Sequence, residues 1–217
     1  MRIAVLGTGS VGRAIAGRTA ELGHQVTIGT RDVAAVRAGE QTAWLEQHPE
    51  VGLATLPEAA DAAELVVNAT NGSGSLPALT AAGAPNLAGK VLLDIANPLD
   101  FTAGFPPTLS VLNTDSLAER IQREFPQTRV VKSLNTLTAE LMVDPRQLAE
   151  GEHSVFVSGN DAEAKRIVTR LLISFGHTDV IDLGDLSTAR GTEMLLPLWL
   201  RLYGRLDSAI FNIKIVR

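Results

Sequence analysis

A glycine-rich turn near the start of the chain constrains the fold more than any other feature. Residues 2–6 form a short apolar run, the size of a buried strand, and Gly7-Thr8-Gly9-Ser10-Val11-Gly12 follows it directly as a match to G-x-G-x-x-G. Val11, Ile15, Thr19 and Leu22 then recur at helical spacing up to Gly23, a usual helix terminator. In such a strand–turn–helix the first glycine permits the tight turn. The second lets a pyrophosphate approach the backbone, and the third lets helix and strand pack closely. Open N–H groups at the helix start add an anion site. The hexapeptide alone is a weak signal, and a ligand-free turn is the bland alternative; the flanking strand and helix give it weight. No Gly-Lys-Ser/Thr follows, so it is not the P-loop of nucleoside triphosphatases.

Extended and helical patterns alternate from there on. Residues 25–29, 54–56, 65–69, 90–96 and 128–134 read as strands. Residues 32–47, 57–63, 76–82 and 115–125 read as helices, with 71–75 a loop and Asp115 in the cap region of the last helix. This order requires parallel strands with crossover helices. The expected fold class is therefore α/β, a Rossmann-type doubly wound, mostly parallel sheet with a small α/β C-terminal portion. Beyond Pro145, strands are expected at 154–157, 178–183 and 210–216, and helices at 162–175 and 187–206. A soft boundary near Gly151 divides a nucleotide-binding domain, 1–150, from an extension, 151–217, that forms a cleft wall and a dimer contact. The 187–206 stretch is apolar on more than one face, which fits either a sandwiched helix or a subunit interface, and Pro197 predicts a kink or break in it.

Composition excludes several classes. The chain has 217 residues, 45% hydrophobic and 20% charged, too apolar for a disordered segment. Lys+Arg number 19 against Asp+Glu 24, and the net charge of −5 argues against a nucleic-acid binder. Without cysteine there is no disulfide framework, thiolate nucleophile or cysteine zinc site. No run reaches the ~18–20 apolar residues of a bilayer span. The apolar start is too short for a signal peptide, so a cytoplasmic protein without a membrane partner is expected.

The end of the second strand reads the dinucleotide. It carries Gly29-Thr30-Arg31, where an NAD site usually has an acidic residue. Thr30 donates to a 2′-phosphate and Arg31 pairs with it, so NADP(H) is the expected cofactor. Asp32 is the counter-signal, read as a helix cap. Arg37 is a weaker second candidate for a phosphate contact, and a place on a solvated helix face is the favoured reading of it. The loops at 7–12, 30–31, 70–75, 97–98 and 135–136 are small, polar and neutral, suited to a flat cofactor. Asn97 and Asn135 either orient a nicotinamide carboxamide or make local turn bonds. Lys132 either stabilises a developing charge or is an ion-paired or surface lysine.

Other chemistries fail. His24, His48, His153 and His177 make no i,i+4 metal pair, and no metal is expected. Gly72-Ser73-Gly74-Ser75 is not a nucleophile elbow, and Tyr203 has Asp207, not lysine, four places on. No catalytic residue is assigned. A dinucleotide fold without an evident acid or base points to hydride exchange between stacked cofactors, which chiefly requires close positioning.

These segments resemble the NADP-dependent deazaflavin-coenzyme F-420 (F420) oxidoreductase family, with the reductase domain of six-transmembrane metalloreductases as a related module. The resemblance rests on Arg2-Ile3-Ala4-Val5-Leu6-Gly7-Thr8-Gly9, Leu22-Gly23-His24, Gly29-Thr30-Arg31 and Lys132-Ser133-Leu134-Asn135-Thr136. Gly184-Asp185-Leu186-Ser187-Thr188-Ala189-Arg190, Glu193, Leu196-Pro197-Leu198 and Ile213-Lys214-Ile215 extend it over nearly the whole chain. It implies an NADP-binding domain, commonly a homodimer, and a cleft where coenzyme F-420, FMN or FAD stacks on the nicotinamide. By carry-over Thr8, Ser10 and Val11 meet the phosphates, and Thr30 and Arg31 meet the 2′-phosphate. Ala69, Thr70, Asn97 and Asn135 belong to the nicotinamide cleft. Ala69-Thr70-Asn71-Gly72 departs from the hydrophobic-Pro pair frequent in the family, which leaves the second redox partner open. Two competing readings are a non-catalytic NADP(H) sensor and an enzyme like the β-hydroxyacid dehydrogenases or imine and pyrroline-carboxylate reductases. The latter need a large all-helical C-terminal domain, unlike the mixed pattern here.

Overall fold

In the computed structural model, which describes all 217 residues, the chain forms ten strands. They are β1 (Arg2–Leu6), β2 (Gln25–Thr30), β3 (Val51–Thr55), β4 (Leu65–Asn68), β5 (Val91–Asp94), β6 (Leu99–Asp100), β7 (Thr108–Leu109), β8 (Arg129–Ser133), β9 (Ser154–Gly159) and β10 (Asp179–Gly184). Eight lie in one sheet in the order β10-β9-β8-β5-β4-β1-β2-β3, and β6 and β7 pair separately as an antiparallel hairpin. All neighbours in the large sheet are parallel except β8 and β9. From β3 to β8 the order is that of the doubly wound dinucleotide fold. Its switch point lies between β1 and β4, where the crevice at the carboxyl ends receives ligands.

The helices are α1 (Ser10–Glu21), α2 (Val33–Ala38), α3 (Thr42–Gln47), α4 (Leu56–Ala62), α5 (Gly72–Ala82), α6 (Ala84–Leu87), α7 (Leu117–Glu124), α8 (Ala139–Val143), α9 (Ala162–Phe175), α10 (Ala189–Met194) and α11 (Leu196–Leu206). They cover both faces of the sheet, which is why the central strands are apolar runs rather than alternating ones. On one face Ile3, Val5, Leu93 and Val131 pack with Ile15 of α1, Leu141 of α8 and Leu172 and Phe175 of α9. On the other, Ala4, Leu6, Val66 and Leu92 pack with Ala59 of α4, Leu79 of α5 and Ile121 of α7. The sheet runs without interruption past Gly151, and residues 151–217 contribute β9 and β10 to it.

Several elements differ from expectation. The 32–47 helix is two helices, because Gly39 ends α2 in an extended conformation and the Thr42 hydroxyl lies 2.6 Å from the Arg37 carbonyl at the break. Residues 72–75 are not loop but the first turn of α5, capped by the Asn71 side chain, which accepts from Gly74 N at 2.7 Å. Ser116, not Asp115, caps α7; Asp115 is held by Arg120 and Arg123 instead. The long C-terminal helix divides at Leu195, with Pro197 in the first turn of α11, where its missing N–H costs no helix bond. Residues 210–216 form no strand. They run beside β9, joined by Ser154 N donating to the Ile213 carbonyl at 2.9 Å. No helix is long and apolar enough to cross a membrane.

Candidate active site

The glycine turn separates into packing glycines and an open one. A Cβ on Gly7 would lie 2.6 Å from the Ala69 carbonyl oxygen, and one on Gly12 would lie 2.1 Å from that of Gly7, so both positions are closed by the protein's own backbone. Nothing comes within 4 Å of the corresponding position at Gly9. Its freedom from a side chain serves no internal packing and leaves a cradle over the start of α1. Gly9 caps that helix without a side-chain bond, so the first-turn N–H groups point to open space.

Two clefts meet at the carboxyl ends of β1 and β4. The first, of about 610 Å³, is lined by Gly7, Thr8, Gly9, Thr30, Arg31 and the segment around Ala69–Asn71. Arg31 is exposed and has no acidic partner. Asp32 turns away to cap α2, accepting from Ala35 N at 2.9 Å, as its position before the helix foretold. The carboxylate nearest to the place where an NAD site reads the ribose hydroxyl is therefore engaged, and the guanidinium faces the cleft alone.

The second cleft, of about 400 Å³, shares Ala69, Thr70, Asn71 and Ser73 with the first and continues along Val11, Asn97 and Asn135. Its far wall is apolar, made by Leu99, Phe101, Leu137, Met142, Leu196 and Trp199. Asn97 Nδ2 donates to the Asn135 carbonyl at 2.7 Å, and Asn135 Nδ2 donates to Asn97 Oδ1 at 2.9 Å and to the Thr192 carbonyl at 3.0 Å. The carbonyl can only accept, which fixes the Asn135 amide orientation. One Asn97 N–H and the Asn135 Oδ1 keep no protein partner, a donor and an acceptor complementary to a primary carboxamide.

Of the expected residues, Ser10 and Gly12 line neither cleft: Ser10 is exposed at the start of α1, and Gly12 is buried against Gly7. Lys132 is neither exposed nor in a cleft. It is buried between Asp94 and Glu193, each carboxylate 2.9 Å from Nζ. Burial pulls its pKa down, but the two carboxylates outweigh that and hold the ammonium above its ordinary value. An ion-paired Lys132 was one of the readings the sequence offered, and the structure bears it out; the apolar wall and the two carboxylate partners were missed. Opposite charges inside apolar strands, Asp94 in β5 and Lys132 in β8, were the available signal. A third depression, about 590 Å³, lies between α1, α3 and α9 and contains none of the expected residues.

The family model described as NADP oxidoreductase, coenzyme F420-dependent, matches residues 2–98. An F420-dependent NADP reductase from Methanothermobacter marburgensis is 30% identical over 93% of this chain and 92% of its own length. A crystal structure from Arthrobacter sp. FB24, named as a candidate F420-dependent NADP-reductase, superposes with a TM-score of 0.98 at 64% identity and covers both chains fully. Metalloreductase STEAP3 from Rattus norvegicus is 30% identical over 91% of this chain, which spans only 38% of that larger protein.

Proposed function

The chain belongs to the coenzyme F420-dependent NADP oxidoreductase family, and we propose that it passes a hydride between NADP(H) and a deazaflavin such as coenzyme F420, or a flavin. The observation that carries this reading is the lining of the second cleft: none of its 16 residues is titratable. Reduction of an imine or ketone needs a proton delivered to the reacting nitrogen or oxygen as the hydride arrives, and a dedicated enzyme places an acid to give it. A deazaflavin or flavin takes up one proton as well, but its fused ring delocalises the added charge and a ring nitrogen can take that proton from solvent. Exchange between two ring cofactors requires chiefly that the rings be held in contact with water kept out, and an apolar wall of Phe101, Leu196 and Trp199 opposite neutral amides suits that task. This disfavours the imine-reductase and hydroxyacid-dehydrogenase readings.

The residues present fit the dinucleotide. The open face of Gly9 and the uncapped start of α1 receive the pyrophosphate. Thr30 and Arg31 receive the 2′-phosphate, and Asn97 and Asn135 hold the carboxamide through their free N–H and Oδ1. When bound, the nicotinamide gives or takes the hydride. Thr70 lies where the two clefts join and so borders both the phosphate and the ring ends. We also propose that the protein is a cytoplasmic homodimer, since Met194, Leu198, Tyr203 and Leu206 of α10 and α11 leave apolar surface exposed.

The test offers deazaflavin, FMN, FAD and a quinone in turn and follows NADPH absorbance. Oxidation with the deazaflavin or a flavin is expected. Tight NADPH binding with no acceptor working would favour a sensor, and calorimetry showing no NADPH binding would overturn the reading.

A further inference from the structure

Lys132 has three N–H donors and three partners: Asp94 Oδ2, Glu193 Oε1 and the Ala96 carbonyl. Each partner leads to a different side chain of the second cleft. Asp94 Oδ1 accepts from Asn68 Nδ2 at 2.8 Å, and Asn68 Oδ1 accepts from the Thr70 hydroxyl at 2.7 Å. Ala96 immediately precedes Asn97. Glu193 follows Thr192, whose carbonyl accepts from Asn135. Thr70, Asn97 and Asn135 come from loops after three different strands, and one buried ammonium is the point at which their supports meet.

Stability does not explain the arrangement. Asp94, Lys132 and Glu193 bury two carboxylates and one ammonium with essentially no solvent exposure. The start of α7 offsets part of the excess charge, with Leu117 N and Ala118 N donating to Glu193 at 2.7 and 3.2 Å. Well-packed apolar side chains in place of buried ions are often neutral or stabilising. What an ion cluster adds is a fixed geometry, because each Lys132 N–H has its own acceptor and both carboxylates are held by further N–H donors.

We infer that Lys132 is a positioning residue: by clamping Asp94, Glu193 and the Ala96 carbonyl it sets Thr70, Asn97 and Asn135 in the register that holds the nicotinamide end of the nucleotide. The inference rests on the assignment of the second cleft to the nicotinamide. Its effect falls chiefly on that end, because Asn97 and Asn135 line only the second cleft, Thr70 stands at the junction of the two, and Lys132 reaches no residue of the Thr30–Arg31 pair.

The test uses two probes, NADPH and adenosine 2′,5′-bisphosphate, which lacks the nicotinamide. Lys132→Met combined with Glu193→Gln removes one charge of each sign and leaves the net charge of the cluster unchanged. Binding of the bisphosphate is expected to stay within about twofold of wild type. NADPH should bind about tenfold more weakly, the scale of one lost hydrogen bond, with its bound-state fluorescence moved toward that of free NADPH. A general structural defect would weaken both probes alike, and equal losses, or none, overturn the inference. Should the double variant fail to fold, Asn68→Leu keeps all three charges paired and, of the three paths from Lys132, cuts the one to Thr70, together with the Asn68 Nδ2 bond to Ser75 Oγ at 3.0 Å. It must show the same split between probes, and wild-type behaviour toward both would overturn the inference. Wild-type protein that binds neither probe would instead sink the cleft assignment itself, and the inference with it.

Discussion

At the scale of single residues, the difference between NADP and NAD comes down to which of two neighbours faces the cleft. Asp32 would repel a 2′-phosphate, but its carboxylate is bound to Ala35 N at 2.9 Å and serves α2. Arg31 has no competing carboxylate. Arg31→Ala should therefore weaken NADPH by about 1.5–3 kcal/mol, the range for a charge-assisted hydrogen bond, and leave NADH almost unchanged. Calorimetry with both nucleotides decides it, and equal losses would show that Arg31 does not read the extra phosphate. Gly9 permits a sharper separation of folding from binding. Its Cβ position is empty to 4 Å, so Gly9→Val should leave the thermal unfolding midpoint near wild type yet abolish binding of both nucleotides. Retained affinity would place the pyrophosphate elsewhere.

At the scale of elements, the sequence was legible wherever a single periodicity ran between clear stops. Ala162–Phe175, ended by Gly176 in the left-handed conformation, was read to the residue, and β1, α1 and β2 to within one. Legibility failed where a side chain, rather than propensity, defines the boundary. Gly72-Ser73-Gly74-Ser75 has the composition of a loop, but the Asn71 cap starts a helix there. A Cβ on Gly72 would lie 2.0 Å from the Asn97 carbonyl oxygen, so glycine is required by the approach of the next loop. The hairpin of β6 and β7 carries no periodic signal, being two residues per strand, and with it went Phe101 of the cleft wall. The glycine turn, Arg31, Thr70 and the two asparagines were readable because local chain rules place them at strand ends. The apolar wall was not, because Leu137, Met142, Leu196 and Trp199 meet only through tertiary packing.

At the scale of the whole molecule, the far edge of the sheet depends on a junction that nothing in the dinucleotide motif requires. His153 and His177 lie buried edge to face, 6.2 Å apart, beneath the C-terminal tail. His153 accepts from Asn212 Nδ2 at 2.7 Å and donates from Nε2 to the Pro145 carbonyl, so it joins the tail to the segment after α8. His177 donates from Nε2 to the Met142 carbonyl at 3.0 Å, while its Nδ1 is buried with no partner. Burial lowers its pKa from 6.5 to about 4, with the Met142 bond opposing and His153 adding to the fall. A depressed folded-state pKa means that the unfolded chain binds the proton first. The stabilisation is complete above about pH 6.5 and is lost as pH falls from there through about 4. Asp115, lowered to about 2 chiefly by its bond to Arg123, titrates below that window, and His24, shifted in the same direction as His177, is only partly buried. Urea unfolding should therefore show about 2 kcal/mol less stability at pH 5 than at pH 7. His177→Gln, which retains a donor for Met142, should flatten most of that slope; an equally steep slope in the variant would assign the acid sensitivity to another group.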